Sequence, residues 1–201
     1  MIPDTFGPQD VEIAGVETGY QGFFRIDKIR LRHKTFAGGW TGEFTRELFE
    51  RGEAVCVLLY DPAKDVVVLT EQFRIGALAD ERSPWLLELV AGMVEEGESY
   101  EAVAERETFE EAGCHFYRLL PVCRYWVSPG GTSERVQIFC GLIDSDGVGG
   151  LHGLAEEHED IRLVSLPFAE AWQALEDGVI NNAATIMALQ WLKLHQAELA
   201  P

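Results

Sequence analysis

Glu107, Glu110 and Glu111 stand at i, i+3 and i+4 within residues 92–114, which read GMVEEGESYEAVAERETFEEAGC. On a helix these positions fall within an arc of roughly 100°. Like charges about 6 Å apart in an effective dielectric near 20 repel by roughly 3 kcal/mol per pair. A divalent cation removes that cost. Oxygen ligands suit a hard ion, and Mg²⁺ in particular binds a few carboxylates together with substrate phosphates. An acidic helix on an acidic protein would carry the same three residues, so the spacing alone leaves both readings open.

The element that must hold these carboxylates is marked at both ends. Gly97 ends a turn, Ser99 suits an N-cap, Glu101 falls in the first turn and Gly113 follows the last one. Ala102, Phe109 and Ala112 lie opposite the acidic arc, where they are expected to pack inward. Tyr100, Val103 and Ala104 fill the spaces on the acidic side. Charge mixed with apolar groups in that way predicts a partly buried cleft rather than a solvated face.

The surroundings add a pattern. From Gly92 the chain runs through five residues to Glu98, then through seven more to Arg106-Glu107, Glu110-Glu111 and Gly113. This resembles the Nudix box, G-x5-E-x7-R-E-U-x-E-E-x-G-U, with every fixed position met. Thr108 and Cys114 depart at the two bulky apolar places, which concern packing behind the helix. The resemblance implies an α/β fold, an α/β/α sandwich around a mixed sheet, and cleavage of a diphosphate linking a nucleoside to another group. It implies metal ligation by Glu107, Glu111 and the Ala91 carbonyl, with Glu110 close by as a further ligand. It also implies an Arg106–Glu98 salt bridge that orients the loop and helix.

Composition sets the frame. The chain has 201 residues, enough for one good core, and 47% of them are hydrophobic. Sixteen basic against 34 acidic residues give a net charge of -18, which disfavours nucleic acid or an anionic membrane as a partner. None of the four cysteines forms a C-x-x-C pair, and Cys56 and Cys140 sit in apolar runs, so buried reduced thiols are expected. No apolar run reaches the roughly 18 residues of a membrane span. The first ten residues, MIPDTFGPQD, lack the basic and apolar parts of a signal peptide. Cytoplasmic placement is the expectation.

Strand patterns are expected over residues 22–34, 41–49, 54–60, 66–72, 85–90, 118–127, 134–143 and 161–166. Helical periodicity covers 168–175 and 183–196. Gly38-Gly39 marks a turn, and 144–150 reads as a Gly-rich loop. The expected organisation is an N-terminal strand layer over 1–50 and a catalytic domain over 51–201. A few strands without a helix cannot bury both faces alone, so the N-terminal layer must dock on the main domain or on a second chain.

Further words carry the likeness across most of the chain: GFFRID, RELFERG, EQFRIGA, PWLLELVAGMVEEGE, SPGGTSER, HGLAEEHEDIRL and NNAATIMALQWL. In these words the chain resembles the bacterial ADP-ribose-cleaving branch of the Nudix family, as does Pro129, 15 residues beyond the box. That resemblance implies a homodimer with exchanged N-terminal strands. It implies that Phe23 stacks on the base beside Phe24, and that Arg46, Glu47, Arg51, Arg74 and Met93 contact substrate. Ser128, Pro129 and Gly130 would line the pocket, and Glu134 would hold a ribose hydroxyl. Glu157 would be the general base, and Glu159 a metal ligand from an acidic loop. The implied reaction is Mg²⁺-dependent hydrolysis of ADP-ribose to AMP and ribose 5-phosphate, with Mn²⁺ or Zn²⁺ able to substitute. Two rivals remain: preference for another nucleoside diphosphate sugar such as GDP-mannose, and a non-catalytic nucleotide sensor.

Overall fold

The computed structural model describes residues 5–153 and 158–199, which divide into two units. Unit 1 comprises Met1–Gly52 and Trp126–Arg135, and unit 2 comprises Glu53–Tyr125 and Val136–Pro201.

In unit 1, β1 (Val11–Gln21), β2 (Arg25–His33) and β3 (Phe44–Glu50) form an antiparallel three-stranded sheet in that order. The turn at Gly38-Gly39 forms as expected, with φ of 90° and 80° that a β-carbon would oppose. β1 was not expected from its sequence. Its only repeating apolar signal comes from Val11, Ile13, Val16 and Tyr20, and register shifts between Ile13 and Gly15 and between Thr18 and Tyr20 break the alternation. The segment Trp126–Arg135 is stitched to β3: Phe49 N–H donates to Gly131 O at 2.8 Å, and Ser133 N–H donates to Phe49 O at 3.0 Å.

Unit 2 is built on a mixed sheet. Its members are β4 (Glu53–Asp61), β5 (Val66–Phe73), β6 (Trp85–Glu88), β7 (Val90–Met93), β8 (Arg118–Trp126), β9 (Arg135–Leu142), β10 (Gly150–His152) and β11 (Ile161–Pro167). The order is β10-β11-β5-β4-β9-β8, with β6 on β5 and β7 on β4. The apolar run of β4 has the signature of a strand covered on both faces, and both faces are indeed covered. Val55, Val57 and Leu59 pack with Val103, Ala104 and Ala112 of α1 (Tyr100–Ala112). Cys56, Leu58 and Tyr60 pack with Phe168 and Ala171 of α2 (Phe168–Glu176) and Leu189 and Leu192 of α3 (Ala183–Leu199). The result is the α/β/α sandwich expected from the box. Cys56 and Cys140 are buried, as their apolar runs predicted. Among the described residues, no helix is long and apolar enough to cross a membrane.

Two expectations need correction. The 85–90 run is two strands, because β6 pairs with β5 whereas β7 leaves it to pair with β4. On α1 the acidic side is partly buried and Ala112 packs inward, both as expected, with Val103, Ala104, Thr108 and Glu111 also buried; Ala102 and Phe109 do not follow. Ala102 is exposed and Phe109 is 56% exposed, stacked on His115 at 5.1 Å. The carboxylates and the core residues share one half of the helix, so Phe109 is left outside.

Candidate active site

The start and end of α1 form as the sequence requires. Ser99 caps it by accepting the Ala102 N–H at 3.2 Å, and Gly113 closes it in the left-handed region at φ 61°. β7 lies along this helix and brings Gly92 against it. A β-carbon on Gly92 would collide with the Glu107 carboxylate. Gly92 therefore makes the space that Glu107 fills.

One arginine organises the charges. Arg106 donates from Nε and Nη2 to the two oxygens of Glu98, both at 3.3 Å. From Nη1 it reaches Glu107 at 2.6 Å and Glu110 at 3.3 Å. The backbone N–H of Glu95 and then Arg106 hold the Glu98 carboxyl below its ordinary range. The expected Arg106–Glu98 bridge is present and ties the loop before α1 to the helix.

Glu111 is the most buried carboxylate of the group, at 4% exposure. Its Oε2 accepts the Ala91 N–H at 3.0 Å. Burial pushes its pKa up to about 8; the Ala91 bond opposes the shift, and the charges of Glu159 and Glu107 add to it. Burial also raises the Glu107 carboxyl; Arg106 works against this, while Glu110 and Glu159 reinforce it. Glu159 thus stands near enough to act on both. It sits where the chain returns on itself: a β-carbon on Gly153, at φ 97°, would come within 2.7 Å of the Glu159 carbonyl oxygen. Glu157 lies outside the described residues.

Among the described residues, no three acidic, histidine or cysteine side chains converge on one point. Glu107 and Glu110 turn to Arg106, and Glu111 turns to Ala91. Even so, the donor set fits a hard divalent cation. It is all oxygen, it is fixed on a rigid helix against a glycine cradle, and the burial of Glu111 and Glu107 penalises their charge in a way that a cation would offset.

Arg74 and Met93 belong to the same unit. Arg74 Nε donates to Glu88 at 2.6 Å, and the Arg74 charge also acts on Glu111. Met93 ends β7 and is 44% exposed. Sequence reasoning missed Glu88, although one acidic residue inside the apolar run WLLELV was a signal. It also missed the clamp of Glu53, Tyr100 and Arg124. There Glu53 accepts from the Tyr100 hydroxyl and from Arg124, whose guanidinium lies 5.0 Å from the Tyr100 ring centre.

Within unit 1, several of the expected substrate-binding residues gather. Phe23 and Phe24 meet edge to face at 4.7 Å, and Phe24 meets Phe49 at 5.1 Å. Arg51 lies over Phe24 at 4.6 Å and forms an ion pair with Glu134 at 3.4 Å without a hydrogen bond from its Nε. Phe23 is 88% exposed. Ser128, Pro129 and Gly130 form an exposed turn in which Ser128 O accepts the N–H groups of Gly131 and Thr132 at 3.1 and 3.0 Å. Arg46 stands apart from this cluster. Alternation along β3 puts Arg46 on the face opposite Phe49, where its guanidinium covers Phe44 at 4.5 Å. Glu47 lies opposite Lys28 in the sheet register.

Comparison with known proteins agrees with this geometry. The NUDIX domain model matches residues 50–201. An ADP-ribose pyrophosphatase of Escherichia coli (strain K12) is 52% identical over 198 residues, covering 98% of this chain and 95% of that protein. One from Haemophilus influenzae is 49% identical over 197 residues, covering 96% and 91%. A GDP-mannose pyrophosphatase of Pectobacterium atrosepticum is 37% identical over 149 residues, covering 72% and 75%. A crystal structure of an ADP compounds hydrolase shares the fold, with a TM-score of 0.69 at 23% identity over 95% of this chain and 98% of that one. By its box, its sandwich and these relatives, the chain belongs to the Nudix family.

Proposed function

We propose that the chain hydrolyses the diphosphate of ADP-ribose, giving AMP and ribose 5-phosphate, with Mg²⁺ as the cofactor and Mn²⁺ or Zn²⁺ as possible substitutes. The observation that carries the chemistry is the Glu107 carboxylate against Gly92 with Glu111 buried beside it. The substrate follows from the two relatives, similar at 49–52% over almost the whole chain, whose names state ADP-ribose pyrophosphatase.

Glu107, Glu111, Glu159 and the Ala91 carbonyl would hold the cation, with Glu110 as a further ligand. When bound, the cation offsets charge on the diphosphate and acidifies water. Arg106 and Glu98 keep the loop and helix in register. Glu157 takes the proton of the attacking water, whose oxygen bonds to one phosphorus as the bridging P–O bond breaks. Arg74 and Met93 contact the substrate. From the N-terminal unit, Phe23 stacks on the base beside Phe24; Arg46, Glu47 and Arg51 bind phosphate and nucleoside groups. Ser128, Pro129 and Gly130 line the pocket, and Glu134 holds a ribose hydroxyl.

The working form is a homodimer with exchanged N-terminal strands. Supporting this is the apolar set of β1: Val11, Ile13, Val16 and Tyr20 are all exposed on a sheet of three strands. Buried cysteines without a C-x-x-C pair support a reducing, cytoplasmic setting. The deciding experiment incubates the protein and Mg²⁺ with ADP-ribose, GDP-mannose and other nucleoside diphosphate sugars, and identifies the products by mass. AMP with ribose 5-phosphate, and the highest kcat/KM for ADP-ribose, are expected. Higher kcat/KM for GDP-mannose would end the substrate assignment, and no cleavage of any compound would favour a sensor.

A further inference from the structure

The arginines around the sheet of unit 2 differ in how much of the guanidinium they commit. Arg106 engages Nε, Nη1 and Nη2 with its three carboxylates. Arg162 engages Nε and Nη2 with Glu71. Arg74 engages Nε alone, with Glu88 Oε2 at 2.6 Å, and its two terminal nitrogens make no hydrogen bond among the described residues.

The register shows what that single contact does. Thr70 lies opposite Glu88, and Gln72 lies opposite Leu86. Arg74 is further along, its N–H donating to Pro84 O at 2.8 Å. Thr70, Gln72, Arg74, Leu86 and Glu88 therefore share one face of the hairpin. It is the face of Val68, which packs with α1. To meet Glu88, the Arg74 side chain must run back along β5 past the Gln72–Leu86 pair, toward the helix that carries Glu107 and Glu111. The Glu88 side chain is 17% exposed and that of Arg74 42%, so the anchor is largely covered while much of the arginine side chain stays accessible. Both line an open cleft of about 440 Å³.

We propose that Glu88 is a positioning residue for the reaction: by accepting from Arg74 Nε it folds that side chain back and presents the Nη1/Nη2 edge to a substrate diphosphate. Two terminal N–H groups in a fixed plane match two phosphate oxygens. A long, rotamer-rich side chain held in advance loses less freedom on binding. The proposal rests on the reading of Arg74 as a substrate-binding residue.

Steady-state kinetics with ADP-ribose at saturating Mg²⁺ test it, using Arg74→Ala, Glu88→Ala, Glu88→Gln and the double variant Arg74→Ala/Glu88→Ala, with Tm recorded for each. Arg74→Ala is expected to raise KM by roughly 10- to 100-fold, the scale of a charge-assisted hydrogen-bonded contact. Glu88→Ala should raise KM by about 10-fold with kcat almost unchanged. Glu88→Gln, whose amide oxygen still accepts from Nε, should recover most of that loss. The double variant should be no worse than Arg74→Ala alone, because Glu88 acts only through Arg74. An unchanged KM in Glu88→Ala, or additive losses in the double variant, would overturn the proposal. An unchanged KM in Arg74→Ala would remove the arginine's assignment and this proposal with it, while leaving the activity standing. If wild-type turnover shows that another nucleoside diphosphate is preferred, the functional reading fails separately. The same four variants are then run on that substrate, because the diphosphate is what Arg74 would recognise.

Discussion

The acidic helix of unit 2 and the first strand of unit 1 break the usual rule of inside and outside in opposite senses. On α1, Glu111 is buried beside valine and alanine, while Phe109 faces solvent. On β1, Ile13, Val16 and Tyr20 are each about 60% exposed, at 64%, 59% and 61%. A buried carboxylate is costly until positive charge reaches it. An exposed apolar strand gains when another chain covers it. Under the function proposed above, each departure is matched to what would complete it: a cation in one place, a second copy of the chain in the other.

The largest effect is expected where charge is most deeply buried. Glu111→Gln should lower turnover by roughly 10³-fold or more, since several kcal/mol of charge stabilisation would go. The same change should stabilise the metal-free protein at alkaline pH. A carboxyl whose pKa rises on folding from 4.5 to about 8 holds its proton longer in the folded state. Stability therefore falls as pH rises between those values, by an amount on the order of a few kcal/mol. Gln keeps an acceptor for the Ala91 N–H and has no charge to lose. Urea unfolding in EDTA at pH 5 and pH 8 should show the wild type weaker at pH 8 and the variant losing clearly less, the remaining slope including the raised Glu107 carboxyl. Equal pH dependence in both would mean that Glu111 is not the group responsible.

Gly92→Ala comes next. The added methyl must displace the Glu107 carboxylate or part β7 from α1. Overpacking of this kind costs about 1–3 kcal/mol. Misplacing a reacting group by about 1 Å costs on the order of 10²-fold in rate. A drop in kcat near that size, with the fold intact by circular dichroism, is expected; full activity would show that Glu107 does not need its cradle.

For the opposite departure, Ile13→Lys places charge on the exposed strand face. It should weaken the proposed dimer by roughly 10- to 100-fold. Sedimentation across a concentration series reads this directly, and turnover should fall along with the dimer fraction. A wild type that sediments as a monomer at every concentration would sink the exchanged-strand reading.

These two regions also show what a sequence makes legible. The β4 strand and the α1 caps were readable because burial on both faces and orphaned helix ends each impose residue types at fixed places. The Arg106–Glu98 bridge was readable only through the resemblance, since nothing in an eight-residue separation says that two side chains meet. β1 was hidden because a strand with neither face covered carries no strict alternation, and its two register shifts blur what remains. The division of the 85–90 run was hidden for another reason. Leaving one partner strand for another is decided by tertiary pairing, not by local pattern. Glu88 left a trace, a single charge in an apolar run, but its meaning depended on Arg74 reaching back from the neighbouring strand.

The smallest effect tests the same comparison within one helix. Amphipathic reasoning places Phe109 against the core because it lies opposite the glutamates. That placement requires the helix to be covered on both sides. Here the charged side faces the sheet, with Val103 wholly buried one turn before Glu107. The stack of Phe109 on the exposed ring of His115 is then a surface contact. Phe109→Ala should change stability by no more than about 0.5 kcal/mol. Val103→Ala, which removes less side chain, should cost roughly 1–3 kcal/mol. Urea midpoints for the two variants give the ranking directly. The smaller residue dominates because α1 is held to the sheet through the side that carries its charges. Were Phe109→Ala the more damaging change, the helix would have to be turned about its axis, and Glu107 and Glu111 would leave Gly92 and Ala91.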